Sequence, residues 1–142
     1  MLRVLGTTVL ISLLAACSTH PTSPAATYIE DDAATVAATW PDPSKRQELD
    51  ASDGAALKAI AAALKPHSDV ASAYFLKIPK QDGGYRYVLV PVFDGEPSVG
   101  ALGDAMSAFS QTNPGQRLEL LLLTPAAREQ QLSGVTPIYS RL

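Results

Sequence analysis

The side chains able to do chemistry in this chain are few and scattered. Nucleophilic catalysis needs a Ser, Thr or Cys beside an oriented base, and the chain has one cysteine, Cys17, and two histidines, His20 and His67. His20 lies in "STHPTSPAAT", a run of small and polar residues. His67 follows Pro66, where a histidine complements the negative end of a helix better than it serves as a base. A structural zinc takes about four ligands, which two histidines from different regions and one cysteine do not supply. Glu30-Asp31-Asp32 could hold a cation, but three adjacent carboxylates read first as a solvated turn. "DGGYRY" (82–87) lacks the Gly-x-Gly-x-x-Gly spacing and strand-to-helix setting of a phosphate loop, and reads as a hairpin turn. Asp94 and Glu96 are the carboxylates a hydrolase would need as a pair. No catalytic residue, metal ligand or cofactor site is therefore assigned. What remains is an amphipathic set: Tyr85 and Tyr87 around Arg86, with Tyr139 and Arg141. Tyr and Arg are enriched at binding hot spots, which makes these candidate partner-binding residues; the ordinary alternative is strand pairing.

The first residues supply an address. Arg3 gives a short positive region, residues 4–14 an apolar run, and Ala15-Ala16 small residues before a cut, the three parts of an export signal. The run is too short for a transmembrane helix, which needs about 20 apolar residues. Leu14-Ala15-Ala16-Cys17 resembles the lipobox of bacterial lipoproteins. That resemblance implies cleavage between Ala16 and Cys17, a diacylglycerol on the Cys17 sulfur and acylation of the new amine. Each buried methylene contributes about 0.8 kcal/mol and stable anchoring takes two membrane signals, so two chains suffice. Ser18 in place of Asp resembles outer-membrane sorting. With an Ala-rich, Lys-poor composition it implies the periplasmic face of the outer membrane of a Gram-negative bacterium.

Export places the chain where disulfides form, yet Cys17 has no second cysteine to pair with, so the core alone must stabilise the fold. The full chain carries a formal charge of −3, and losing Arg3 with the signal makes the mature chain one unit more acidic. A nucleic-acid partner would want a clustered basic face. Here only Lys45-Arg46 are adjacent. The implied partners are the membrane, through the lipid, and an envelope protein.

The chain divides into a signal peptide (1–16), a lipidated terminus and linker (17–27), a partly ordered lead-in (28–49) and a folded domain (50–142). The linker is too poor in apolar mass to fold. Trp40, the sole tryptophan, is expected to dock on the domain. If flexible, residues 18–50 would give the domain an r.m.s. reach of about 30 Å. From Asp50 the periodicity is legible. Leu57, Ile60, Ala61 and Leu64 make one helical stripe, with Asp50, Ser52 and Asp53 as candidate caps and Pro66 as the stop. Residues 70–78 and 85–93 read as strands joined by a Gly-containing hairpin, and Pro91 marks an edge or bulge. Leu102, Ala105, Met106 and Phe109 make a second helical stripe that Asn113-Pro114-Gly115 ends. The leucines of "RLELLLL" (117–123) predict a strand buried on both faces and therefore central. Thr124-Pro125 opens a short helix over 125–132, and "TPIYSRL" closes as a strand. The expected fold is α+β, in the order α-β-β-α-β-α-β, with helices on a four-stranded mixed sheet.

These segments resemble the C-terminal domain of the enhanced serine sensitivity protein (SseB) family. His67, Val70, Ala73 and Tyr74 fit the family's entry to its first strand, and Asp94-Gly95 its strand end. Pro137, Ile138, Tyr139 and Arg141 fit its terminus. The resemblance covers residues 55–142 and rests on packing and turn residues. It implies the fold and an interaction module without known catalytic residues. Family members usually carry a separate N-terminal domain and look cytoplasmic; this chain has an export signal and linker instead.

Three functions are consistent with these readings. The first is a lipid-anchored, non-catalytic module that binds an envelope protein. The second is a periplasmic binder of a small ligand or peptide, and the third a hydrolase using carboxylates such as Asp94 and Glu96.

Overall fold

Asp50 folds the chain back on itself just ahead of the first helix. Its carboxylate accepts from the Ser52 N–H (2.7 Å) while its own N–H donates to Asp53 (2.9 Å), a reciprocal capping box around one 3₁₀ turn, Ala51–Asp53. The computed structural model describes residues 30–31 and 43–142. Helix α1 (Gly54–Leu64) leads directly from that turn. Strands β2 (Val70–Pro79) and β3 (Tyr85–Phe93) follow, then α2 (Val99–Thr112), β4 (Leu118–Leu120), β5 (Leu122–Leu123), α3 (Pro125–Leu132) and β6 (Tyr139–Ser140). A further two-residue strand, β1 (Glu30–Asp31), pairs in parallel with β5. The three helices and the four-stranded mixed sheet occur in the order the periodicity predicts.

Local chemistry explains the boundaries. Gly83 and Gly84 adopt φ near +80°, which an L side chain resists, and close the β2–β3 hairpin. Ser98 caps α2 by accepting from the Ala101 N–H, and Thr124 caps α3 by accepting from the Ala127 N–H with Pro125 in the first turn.

The sheet runs β4-β3-β2-β6, with β3–β4 parallel and the other pairs antiparallel. Alternation sends Ala73, Phe75 and Leu89 to a core under α1 and α2, which add Ile60, Leu64, Ala105 and Phe109. Leu76, Ile78, Val88 and Val90 face the other way, toward Ala127 and Leu132 of α3. Helices thus cover both faces.

The leucine run departs from expectation. Its strand is the edge of the four-stranded sheet, not a central one. The leucines are buried on both faces because helices cover both faces even at this edge: Leu118 and Leu120 pack toward α1 and α2, Leu121 and Leu123 toward α3. After Leu121, whose N–H donates to Leu89 (2.9 Å), the chain leaves β3. Pro91 belongs to this departure. Its partner Ala73 turns its own carbonyl outward to Ile138 of the β6 side, so the missing Pro91 donor faces past the end of β4. A bulge sits in β2 between Val70 and Ser72, beside the same point.

Candidate functional site

Lys77 is the residue out of place. It shares the inward face of β2 with Ala73 and Phe75, and its side chain is 4% exposed. A buried ammonium must be paired. Nζ donates to both Asp53 carboxylate oxygens (3.1 and 3.2 Å) and to Asp50 (3.3 Å), and lies 4.5 Å from the centre of the Tyr85 ring. Burial works to lower the Lys77 pKa, but the hydrogen bonds and charges of Asp53 and Asp50 outweigh it and raise the pKa. The Ser52 hydroxyl and N–H, with help from Lys77, hold Asp50 down at about 2. The capping box therefore does more than start a helix: it delivers two carboxylates to the middle of a strand.

Tyr85 rests on this arrangement. Its ring is 6.4 Å from Tyr87, which is 5.4 Å from Phe109 and 5.9 Å from Phe75, so an aromatic column runs from the core to the surface. Tyr85 ends the column 38% exposed, and Leu49, next to Asp50, is exposed to the same extent. Tyr87 is half-buried in the column. Arg86, between them, faces the other side of the sheet and grips Glu119 of β4 with two bonds (2.6 and 2.9 Å), which raise its pKa. Beside Leu49 an apolar groove of about 350 Å³ follows the outer edge of β2 past Phe75 and Lys77 to Val135. The lead-in walls it: the Gln47 N–H donates to the Lys77 carbonyl (2.8 Å), and Arg46 reaches the Gln131 side chain (2.7 Å) and carbonyl.

The structure does not bring the four partner-binding candidates together. Tyr87 sits opposite Lys77 and Tyr139 opposite Ala73, four residues away along β2 and on its other side. That is roughly 13 Å of strand. Tyr139 is half-buried against the core. Arg141 ties the end of the chain down, its guanidinium donating to the Ser68 carbonyl and the Asp94 carboxylate and its N–H to the Ala71 carbonyl. Asp94 is occupied by that bond, and Glu96 is exposed two residues on. His67 pairs with Asp104 of α2 at 2.8 Å, so it bridges the end of α1 to the neighbouring helix. Cys17 and the Ala16–Cys17 bond, His20, Asp32 and Trp40 lie outside the described residues; for Glu30 and Asp31 the backbone pairing is what is described.

A second concavity, of about 260 Å³, opens at the other end of the sheet, among Pro91, Phe93, Leu123, Pro125 and Arg128. Sequence reasoning missed it, since it forms only when β5 swings away from β3. It missed Lys77 too, though a lysine at an inward position of an apolar strand was a readable signal. Among the described residues no three His, Cys, Asp or Glu side chains converge to hold a metal ion, and no helix is long and apolar enough to cross a membrane. The chain matches no protein-family model, no curated relative and no solved structure.

Proposed function

We propose that this protein is a lipid-anchored, non-catalytic binding module of the cell envelope, held by Cys17 and contacting a partner protein through the hairpin end of its sheet. The observation that carries this reading is Tyr85. It is a large aromatic side chain left exposed yet held from two sides, by Lys77 and by Tyr87. An aromatic anchor that loses little freedom on binding is the kind of residue that dominates interfaces. Leu49 and the groove along β2 extend the contact surface. By contrast His67 and Asp94, the groups a catalytic reading would use, are joined in bridges between elements. The likeness to the SseB C-terminal domain belongs to the same proposal.

The test is affinity capture from native membranes with the full chain. Wild type should retain a specific envelope protein, and Tyr85→Ala should release it with the thermal transition unchanged. Cys17→Ser should abolish lipid labelling and leave uncleaved precursor. Retention of the partner by Tyr85→Ala would refute the surface, and labelling of Cys17→Ser would refute the anchor.

A further inference from the structure

The crevice at the far end of the sheet has a topological origin. β3 and β4 are the parallel neighbours of the four-stranded sheet. The connection leaving β3 enters α2 on one face, and the connection leaving β4 and β5 enters α3 on the other. Adjacent parallel strands whose connections depart to opposite faces leave a crevice outside their carboxyl ends, and in open sheets with covering helices that crevice is where ligands bind. Here Pro91 deepens it, because without a donor it cannot hold β5 alongside, and Gly95 (φ +100°) turns the chain clear of its mouth.

Its chemistry is specific. Phe93, Pro91, Leu122, Leu123 and Pro125 give apolar walls, and Arg128, half-buried, gives one cation. Arg86 and Arg141 hold carboxylates, Glu119 and Asp94, whereas among the described residues no carboxylate pairs with Arg128. Among the described residues, then, this partly desolvated guanidinium against apolar walls has no counter-ion. One planar fork matches one carboxylate; the absence of a second cation in the lining disfavours a multiply charged anion such as phosphate. A space of about 260 Å³ accepts on the order of ten non-hydrogen atoms, at about 30 Å³ for each liquid water displaced.

We propose that this crevice binds a small carboxylic acid with an apolar body, the carboxylate on Arg128 and the body between Phe93, Leu123 and Pro125. The site is independent of the protein contact at the hairpin end, from which it is separated by the length of β3. It stands or falls separately from that reading. The natural carboxylate is either a free acid or the end of a peptide chain.

Titration of the full chain with phenylpropionate, followed by amide chemical shifts, tests this. The expected shifts map to residues 91–97 and 122–128, saturate, and leave the hairpin unmoved. Phenylpropanamide, the same body without the charge, should bind about ten- to a hundredfold more weakly, as should phenylpropionate to Arg128→Gln. Arg128→Lys should fall between, which separates loss of charge from loss of fold. A Phe-terminated tripeptide with a free C-terminus competes at the same residues; whichever of the two binds tighter identifies the source. Equal affinity for acid and amide, unchanged affinity in Arg128→Gln, or saturating shifts only outside these segments would overturn the proposal.

Discussion

The two ends of the sheet use the same kind of interaction at different depths. At the hairpin end Lys77 and Asp53 face each other 4% and 6% exposed. At the other end Arg141 meets Asp94, and His67 meets Asp104, with carboxylates more than half exposed. Each pair links elements distant in sequence, so a contact diagram would rank them together. Depth separates them. An exposed pair contributes about 0–1 kcal/mol because water screens it and would solvate either partner alone. A buried pair contributes little beyond an apolar isostere, yet breaking it strands a charge at a cost of about 3–5 kcal/mol. The hairpin end is therefore the brittle end, and the far end is the one that tolerates change around its crevice.

The largest expected effect tests that asymmetry. Asp53→Ala should destabilise the domain by about 3–5 kcal/mol, because Lys77 keeps its charge and loses its main partner. That is a large share of a total of about 5–15 kcal/mol. Replacing both, Asp53→Ala with Lys77→Met, should recover most of the loss in a denaturant titration. If the single substitution costs no more than an exposed pair, the ammonium escapes to water and the two ends do not differ.

Arg46 comes next. It joins the lead-in to α3 through Gln131, itself 5% exposed. Hydrogen bonds to a charged group contribute about 1.5–3 kcal/mol, and Arg46→Ala should cost an amount in that range. A cost within about 0.5 kcal/mol, the usual scatter of surface changes, would detach residues 43–49 from the fold. At the far end, His67→Ala and Arg141→Ala should each cost about 0.2–1 kcal/mol, and the Arg141 effect should be lost in high salt. A larger, salt-resistant loss for Arg141 would locate its value in the Ser68 carbonyl rather than in Asp94.

How far the sequence speaks follows the same division. The helices and hairpin were legible because their causes are local: Ser98 and Thr124 as caps, the Gly83-Gly84 pair, stripes ending in Leu64 and Phe109. Phe109 faces Phe75 and Tyr87, as its stripe predicts. The position of the leucine strand was not legible, because burial on both faces says that something covers the strand and not which strands flank it. Nor was the grouping of the tyrosines, since register across β2 sets Tyr139 apart from Tyr85 and Tyr87. The crevice required knowing that α2 and α3 leave to opposite faces, a property of topology with no local sequence sign.

The smallest effect is also the most selective, because it titrates one member of the Lys77 cluster. Asp50 has its pKa lowered from 3.8 to about 2, first by the Ser52 hydroxyl, then by the Ser52 N–H and Lys77. A carboxylate whose folded pKa lies below its unfolded one stabilises the fold above the unfolded value. That stabilisation is lost as the pH falls from about 4 through about 2. Lys77 works in the opposite sense. Its raised pKa gives stability that is complete below 10.5 and is lost only as the pH rises through the still higher folded value. Between these limits Asp50 and Lys77 are both charged. Stability of Asp50→Asn, measured against pH, should therefore run flatter than wild type between about pH 4 and 2 and parallel to it near neutrality. Because Asp50 is 57% exposed, the difference should shrink as salt is added. Parallel curves through the acid range would mean that neither the Ser52 hydrogen bonds nor Lys77 favour the charged form of Asp50 in the fold. The buried pair would then rest on Asp53 alone.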